Sequence, residues 1–519
     1  MTENDDAKYL ATLGYKQHLD RTLGSFSAFA TGFSVISILT GCFQLFFFAF
    51  GFAGPSFLLT WPVVLVGQFC LALCFAELAA QYPFAGSVYA WSKKLASQFF
   101  AWMAGYLTIV AQIVTVAGVS VTWQVLLPTI SPWFQFVGDG TGQYDFSGNA
   151  VVLGSTLIVM CTVINLLGVK LVALVNNIGV IVELVCVVLL VGLLALHVQR
   201  GPQVVFETNG AGGGSVPGYV AALLASSLLA MNVLWAFDGV GSVSEETVDP
   251  RRKTPIAILR AVATAGIGGF VLMLLALMAV GDIKAQELSI SGLPYVVTSV
   301  LGDFLGKLLL VGVTIAIGVC VLAIQTAAAR QSFAMARDNR LPYSRWISHV
   351  SPRTKTPVVP TVFVAVCAIV ILVINVSQPQ LIVTLASFVV VLAYLAYLIV
   401  GVSLLVKRLA GQWKPQANSD GDKHFSLGRW GIPVNLIAIA MGVFGVVNLV
   451  WPRREVYNPA APFHWYLQWG GVLALVLIVG GGAAWYYLVQ RHKTGVIAEH
   501  AASAGNSAPL SEESAAAFE

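Results

Sequence analysis

Twelve stretches of around 20 or more mostly apolar residues run through this sequence, at about 25–50, 56–80, 98–127, 150–168, 171–196, 219–243, 256–280, 307–336, 358–376, 380–406, 431–451 and 465–489. A helix rises 1.5 Å per residue, so crossing a hydrocarbon layer about 30 Å thick takes roughly 20 apolar residues. Backbone in lipid has no water to bond, which restricts spanning forms to helices and closed barrels, and runs of this length select helices. The expected fold class is an all-α membrane protein with 12 transmembrane helices. Composition agrees: 57% of the 519 residues are hydrophobic and 10% are charged, against roughly 25% charged in soluble domains. A net charge of +4 without a long basic block gives no footing for nucleic acid. The expected partners are the lipid bilayer and a small molecule.

Basic residues are retained on the cytoplasmic side of short loops. With an inside N-terminus, most Lys and Arg fall on the inner segments, and only Arg200, Lys284, Lys307, Arg453 and Arg454 lie outside. Both termini are therefore expected in the cytoplasm, in a multi-pass protein of the cell membrane. The start of the chain is polar and acidic, without the basic and apolar regions of a cleaved signal. All seven cysteines (Cys42, Cys70, Cys74, Cys161, Cys186, Cys320 and Cys367) lie in apolar runs, so neither a disulfide framework nor a metal site is expected. Residues 285–305 have mixed polarity, and suit either an external amphipathic helix or an ordinary loop.

Two spans carry small and polar residues at mid-membrane. The first holds Ser37, Ile38, Leu39, Thr40, Gly41, Cys42 and Phe43, and the sixth holds Trp235, Ala236, Phe237, Asp238, Gly239, Val240, Gly241 and Ser242. The topology runs these two spans in opposite directions, so a five-helix unit is followed by another of inverted orientation. Inverted-repeat transporters unwind the first helix of each repeat and bind solute on the freed backbone and half-helix dipoles. The alternative is that both clusters are close helix-packing points.

Three motifs carry a resemblance. Phe75–Trp91 (FAELAAQYPFAGSVYAW), Ser244–Pro255 (SEETVDPRRKTP) and Phe333–Pro342 (FAMARDNRLP), with Gly14, Tyr15, Lys16 and Leu23–Phe26, resemble the signatures of the amino acid/polyamine/organocation transporter superfamily, nearest its amino acid and choline branch. The likeness covers about residues 14–410; spans eleven and twelve match only in number. It implies a LeuT-like fold of five-plus-five inverted repeats with two extra C-terminal helices, working by alternating access. The implied division is a cytoplasmic N-terminal segment 1–24, a transporter core 25–410 with repeats at about 25–196 and 219–406, helices eleven and twelve in 411–490, and a cytoplasmic disordered tail 491–519.

The resemblance further implies that the first break, at Leu39–Phe43, offers N–H groups to a substrate carboxylate, and that Trp235–Gly241 offers carbonyls to the amine and an aromatic wall. The candidate substrate-binding residues are Ser37, Thr40, Gly41, Cys42, Trp235, Phe237, Asp238, Gly239 and Gly241. Relatives carry a glycine where this chain has Leu39, which bears on how a carboxylate is caged. Some antiporter relatives carry a glutamate at the position of Gly241, and its absence here argues against an acid-activated exchange of that kind.

Ionisable groups inside a bilayer are costly and mark pathways. Asp238 can pair with a substrate ammonium, or cap the second half of the sixth span. Glu183 sits mid-way along the fifth span, where proton-coupled relatives place a lysine directed at spans one and eight. It is the candidate proton carrier; the alternative is a structural Glu183 bonded to a neighbour such as Asn176. Sodium is the second candidate ion, with Thr326 beside Gln325 in span eight as its hydroxyl. No cofactor is expected beyond a coupling proton or sodium. Glu77, Glu245 and Glu246 face Arg251, Arg252, Arg330 and Arg337, and Glu77, Glu245, Arg251 and Arg337 are candidate inner-gate residues.

The expected function is a proton-coupled secondary active permease moving an amino acid or small organic amine. Alternatives are a choline, polyamine or purine-like substrate, sodium coupling or exchange, and a nutrient sensor that keeps the fold without transport. An ATP-driven pump or membrane enzyme is not expected: there is no phosphate-binding loop, and the seven histidines are scattered.

Overall fold

The computed structural model of the chain describes residues 24–493 and 495–497, apart from 84–85, 143, 352–353, 355, 377–380, 415–423 and 459–462. The expected N-terminal segment and most of the expected tail lie outside the described residues, as do Gly14, Tyr15, Lys16 and Phe84. Among the described residues the chain is helical without strands, and ten helical stretches are long and apolar enough to cross a bilayer.

The first stretch, Ser25–Gln81, contains α1 (Ser25–Ile36), α2 (Ile38–Ala53), a 3-10 turn at Gly54–Leu59 and α3 (Thr60–Gln81). The short α4 (Ser87–Leu95) leads to α5 (Gln98–Ser120), which continues as α6 (Thr122–Ile130). α7 (Asp145–Leu167) and α8 (Val169–Leu196) meet at Gly168, whose φ of +127° suits a residue without Cβ. The sixth apolar segment is divided into α9 (Val216–Ser226), α10 (Leu228–Val233) and α11 (Gly239–Ser242). α12 (Pro250–Ala279) opens on a proline, which has no N–H to leave unbonded in a first turn. Residues 285–305 form two short helices, α13 (Glu287–Ile290) and α14 (Leu293–Leu301), rather than one amphipathic helix. They pack on α2 and on α15 (Asp303–Arg337), with Leu293, Val296 and Val297 buried. Beyond α16 (Ser344–Ile347) come α17 (Val358–Ile374), α18 (Leu381–Leu409), α19 (Gly431–Val450), α20 (Arg454–Tyr457), α21 (Trp465–Gln468) and α22 (Gly470–Trp485). At 17 residues α17 is the shorter apolar helix of the set.

The bundle is apolar outside as well as inside, and the few polar side chains of its helices face inward. On α8 the exposed face is Leu174, Ile178, Ile181, Val185 and Val188, while Asn176, Glu183 and Cys186 face inward. That inversion of a soluble helix fits a hydrocarbon surrounding, where apolar side chains lose nothing by exposure and polar ones need protein partners. α1, α2, α10, α11 and the second half of α15 form the buried centre, and α22 lies at the rim.

The two ends of the bundle are tied differently. At one end the Tyr89 hydroxyl donates to Asp338 at 2.9 Å, Lys93 Nζ meets the same carboxylate at 2.8 Å, and Gln490 Nε2 donates to the Asn339 carbonyl at 2.7 Å. Burial works against the Asp338 charge, yet Lys93, Arg337 and the hydrogen bonds from Lys93 and Tyr89 outweigh it, holding the carboxyl below the usual carboxylate range. At the other end Arg200 donates to the carbonyls of Val280 (2.6 Å) and Gly281 (2.8 Å), and the Ser56 N–H to Glu207 O (3.1 Å).

Candidate functional site

The first break falls at Ser37, not at Leu39–Phe43, which are helical within α2. Ser37 adopts φ +36°, ψ 101°, and its hydroxyl oxygen accepts the Thr40 N–H at 3.3 Å, so the serine caps a helix that restarts at Ile38. The Thr40 hydroxyl lies 2.6 Å from Ser37 Oγ, and Ser37 Oγ donates to Glu183 Oε1 at 2.8 Å. The Leu39 N–H reaches the same carboxylate oxygen at 3.2 Å. Glu183 thus crosses from the middle of α8 to the break in the first span, and Asn176 is not its partner. Cys42 and Cys320 face the Glu183 carboxyl, with Cys320 Sγ 3.7 Å from the Val35 carbonyl. Among the described residues no basic side chain is paired with Glu183.

The second break, Leu234–Asp238, carries Ala236 at φ +66°. Tyr397 of α18 holds it: the Ala236 N–H donates to the phenol oxygen at 3.1 Å, and the phenol donates to Asp238 Oδ1. Ser87 of α4 donates to the Asp238 carbonyl at 2.8 Å and lies 3.1 Å from Oδ2. Both oxygens of Asp238 are therefore engaged by hydroxyls, and the residue does not cap α11 through its side chain. Phe237 packs in an aromatic cluster, with ring centroids 5.7 Å from Phe75 and 5.8 Å from Tyr397, and Phe75 is 5.1 Å from Trp91.

The two broken spans lie side by side through a small-against-large register. Gly32 faces Val240, Val35 faces Gly239, and Gly41 faces Val233. Gly241 is set against Trp91 and Ser87 of α4. Gln44 of α2 adds a polar bridge, donating to Gly118 O of α5 at 2.8 Å and accepting from Asn232 Nδ2 at 3.2 Å. Ser37, Thr40, Cys42, Trp235, Phe237 and Asp238 are all buried, as are Gly41, Gly239 and Gly241.

The Thr326 hydroxyl donates to Asn165 Oδ1 (2.6 Å) or Leu322 O (2.7 Å), while Gln325 Nε2 donates to the Thr162 hydroxyl at 2.7 Å. At the acidic turn after the sixth span, Arg337 meets Glu245 at 3.2 Å and Arg330 pairs with Glu246, all four side chains being buried. Glu77 is not with the arginines expected for it. It pairs with Arg408 of α18 and accepts from Ser426 Oγ (3.0 Å) and the Leu427 N–H (3.1 Å). Arg251 Nε donates to the Ala80 carbonyl at the end of α3, at 3.0 Å.

Sequence reasoning missed Tyr397, Gln44 and Arg408 as partners, since a tyrosine or glutamine in an apolar run carries no spacing signal and Arg408 reads as a membrane-end anchor. Ser87 stood inside a recognised motif without a role.

A family model described as amino acid permease matches residues 23–479. The chain is 26% identical over 517 residues to amino-acid permease 2 of Neurospora crassa, an alignment covering 95% of this chain and 89% of that protein. It is 26% identical over 454 residues to an amino-acid permease of Arabidopsis thaliana, covering 83% and 85%. Against a branched-chain amino acid permease of Bacillus subtilis it is 28% identical over 370 residues, covering 68% and 74%.

Proposed function

The chain belongs to the amino acid permease family, and from that premise we propose that it is a proton-coupled secondary transporter that moves an amino acid or a small organic amine by alternating access. The observation that carries this reading is the pair of facing broken helices with the Glu183 carboxyl bonded to the first break. Breaks of this kind put backbone groups where a solute can use them, and the helix halves on either side can rock separately. A titratable carboxyl tied to the hinge links proton uptake to that motion.

The same reading takes the chain as twelve spans in the cell membrane with both termini cytoplasmic. Its core, 25–410, is then two inverted five-helix repeats, 411–490 holds the last two spans, and segments 1–24 and 491–519 flank them. The pairs Arg337–Glu245 and Arg330–Glu246, with Glu77 and Arg251 nearby in the same end of the bundle, form the closed inner gate. The amino acid permeases among its relatives support amino acids as the first substrate class to test.

Counterflow in proteoliposomes tests the transport step. Liposomes loaded with unlabelled amino acid are expected to accumulate the labelled form transiently without a driving force. Binding without exchange would instead support a sensor. Glu183→Gln is expected to remove the pH dependence of uptake, and an unaltered pH profile would refute the proton role.

A further inference from the structure

A helix leaves the N–H groups of its first turn without intrahelical partners, and where a membrane helix is broken these are the donors an anion can use. In this chain they are all taken. The Ser37 N–H closes on Phe33 O at 2.8 Å, and the Gly41 N–H returns to Ser37 O at 3.2 Å. The Thr40 N–H is held by Ser37 Oγ at 3.3 Å. The Leu39 N–H is bonded to Glu183 Oε1 at 3.2 Å, and the Ile38 N–H faces the same carboxyl. A hydroxyl, Ser37 Oγ, completes the set on Glu183 at 2.8 Å. The group seated on the break is thus a buried carboxyl from a different helix, the same chemical group that an amino acid would bring to it.

We propose that Glu183 is the resident ligand of this cradle, and that a substrate carboxylate is bound there only as Glu183 withdraws, the two carboxyls being alternative occupants of one set of donors. The inference rests on the transport reading above and adds to it a rule of selection. Two carboxylates cannot share one buried site without strong repulsion. The displaced Glu183 therefore leaves with a proton taken from hydronium in the solution at the open face, becoming a neutral acid, and one substrate carboxylate enters per proton taken up. A solute with an amine and no carboxylate displaces nothing and gains no such coupling. Among the described residues the titratable groups facing Glu183 are Cys42 of α2, Cys320 of α15 and Cys186 on its own helix, all thiols. None supplies a positive charge to stabilise a second anion.

Formate, the smallest carboxylate, tests the cradle directly. Full-length protein is titrated with sodium formate against sodium chloride at equal ionic strength, and melting temperature is read. Glu183→Ala, which vacates the donors, is expected to gain several degrees in formate. Wild type and Glu183→Gln, whose side chains still fill the cradle, are expected to show no difference between the salts. If Glu183→Ala is not recovered folded in chloride, recovery of folded Glu183→Ala or Glu183→Ser in formate alone is the same positive result. No formate effect on either variant, or an equal effect on all proteins, overturns the proposal. Counterflow on wild type, run alongside, separates the two ideas: absence of exchange removes the transport reading and leaves the formate result to decide the cradle.

Discussion

The lack of a side chain at Gly41 is one of the points that let the two broken spans approach. A Cβ added at Gly41 would lie 2.6 Å from Val233 Cγ2 and 3.3 Å from Val233 Cα, so part of the obstruction is backbone and cannot rotate away. Gly41→Leu is expected to destabilise by roughly 1–3 kcal/mol or more and to abolish uptake. Thermal unfolding and counterflow of Gly41→Ala with and without Val233→Ala separate packing from binding. Recovery of both stability and uptake in the double variant means the glycine serves contact alone, whereas stability without uptake gives it a place in the substrate site. Tyr397→Phe removes the donor to Asp238 and the acceptor of the Ala236 N–H. It is expected to cost about 1–3 kcal/mol, seen as a lower melting temperature, and to loosen the second break. Asp238 and Glu183 were legible in the sequence because a carboxylate in an apolar run has few reasons to be there. Their partners were not, because a hydroxyl such as that of Ser87 or Tyr397 is unremarkable until the fold brings it within bonding distance.

At the scale of the elements, the positions of both broken spans could be read from clusters of small and polar residues, but the point of the first break could not. The resemblance puts the break at Leu39–Phe43, while it is made by Ser37 acting as a helix cap, a role that depends on backbone angles as much as on residue type. The signature motifs were recognisable as strings, and their physical content emerges from contact: α4 joins the second break through Ser87 and the end of α15 through Tyr89 and Lys93. The Asp338 carboxyl held below its ordinary value has a consequence for pH. Because its folded value is depressed, the stability it contributes is complete above the unfolded value of about 3.9 and is lost as pH falls through the folded one. Asp338→Asn is therefore expected to lower the melting temperature at neutral pH and to flatten the loss of stability below about pH 4, measured by thermal unfolding across that range. Arg330→Ala strands Glu246 in a buried setting, at an expected cost of about 3–5 kcal/mol. Labelling of a cysteine placed at Val243 should speed up in that variant if the pair closes the inner side.

For the whole molecule, the apolar runs made the all-helical class and the multi-pass character legible, since length and hydropathy are what a bilayer selects. The fourth and fifth spans could be separated only at Gly168, and the 3-10 turn Gly54–Leu59 runs the first stretch on into the second, so boundaries were less legible than existence. If both termini face the cytoplasm, reporters fused after residue 495 and inserted near Ser348 will be active on the same side, and one inserted near Gly210 on the other. A split of the first two onto opposite sides removes an odd number of spans from the topology.

The contacts of α4 also set an order on biosynthesis. Its Ser87 must wait for Asp238, 151 residues later in the chain, and its Lys93 for Asp338, 245 residues later. At roughly 5–20 residues per second of translation, those waits last from several seconds to most of a minute. During that time a short helix with two lysines rests at the membrane surface with its permanent neighbours still unmade, and the ribosome, rather than the folded protein, governs when the core can close.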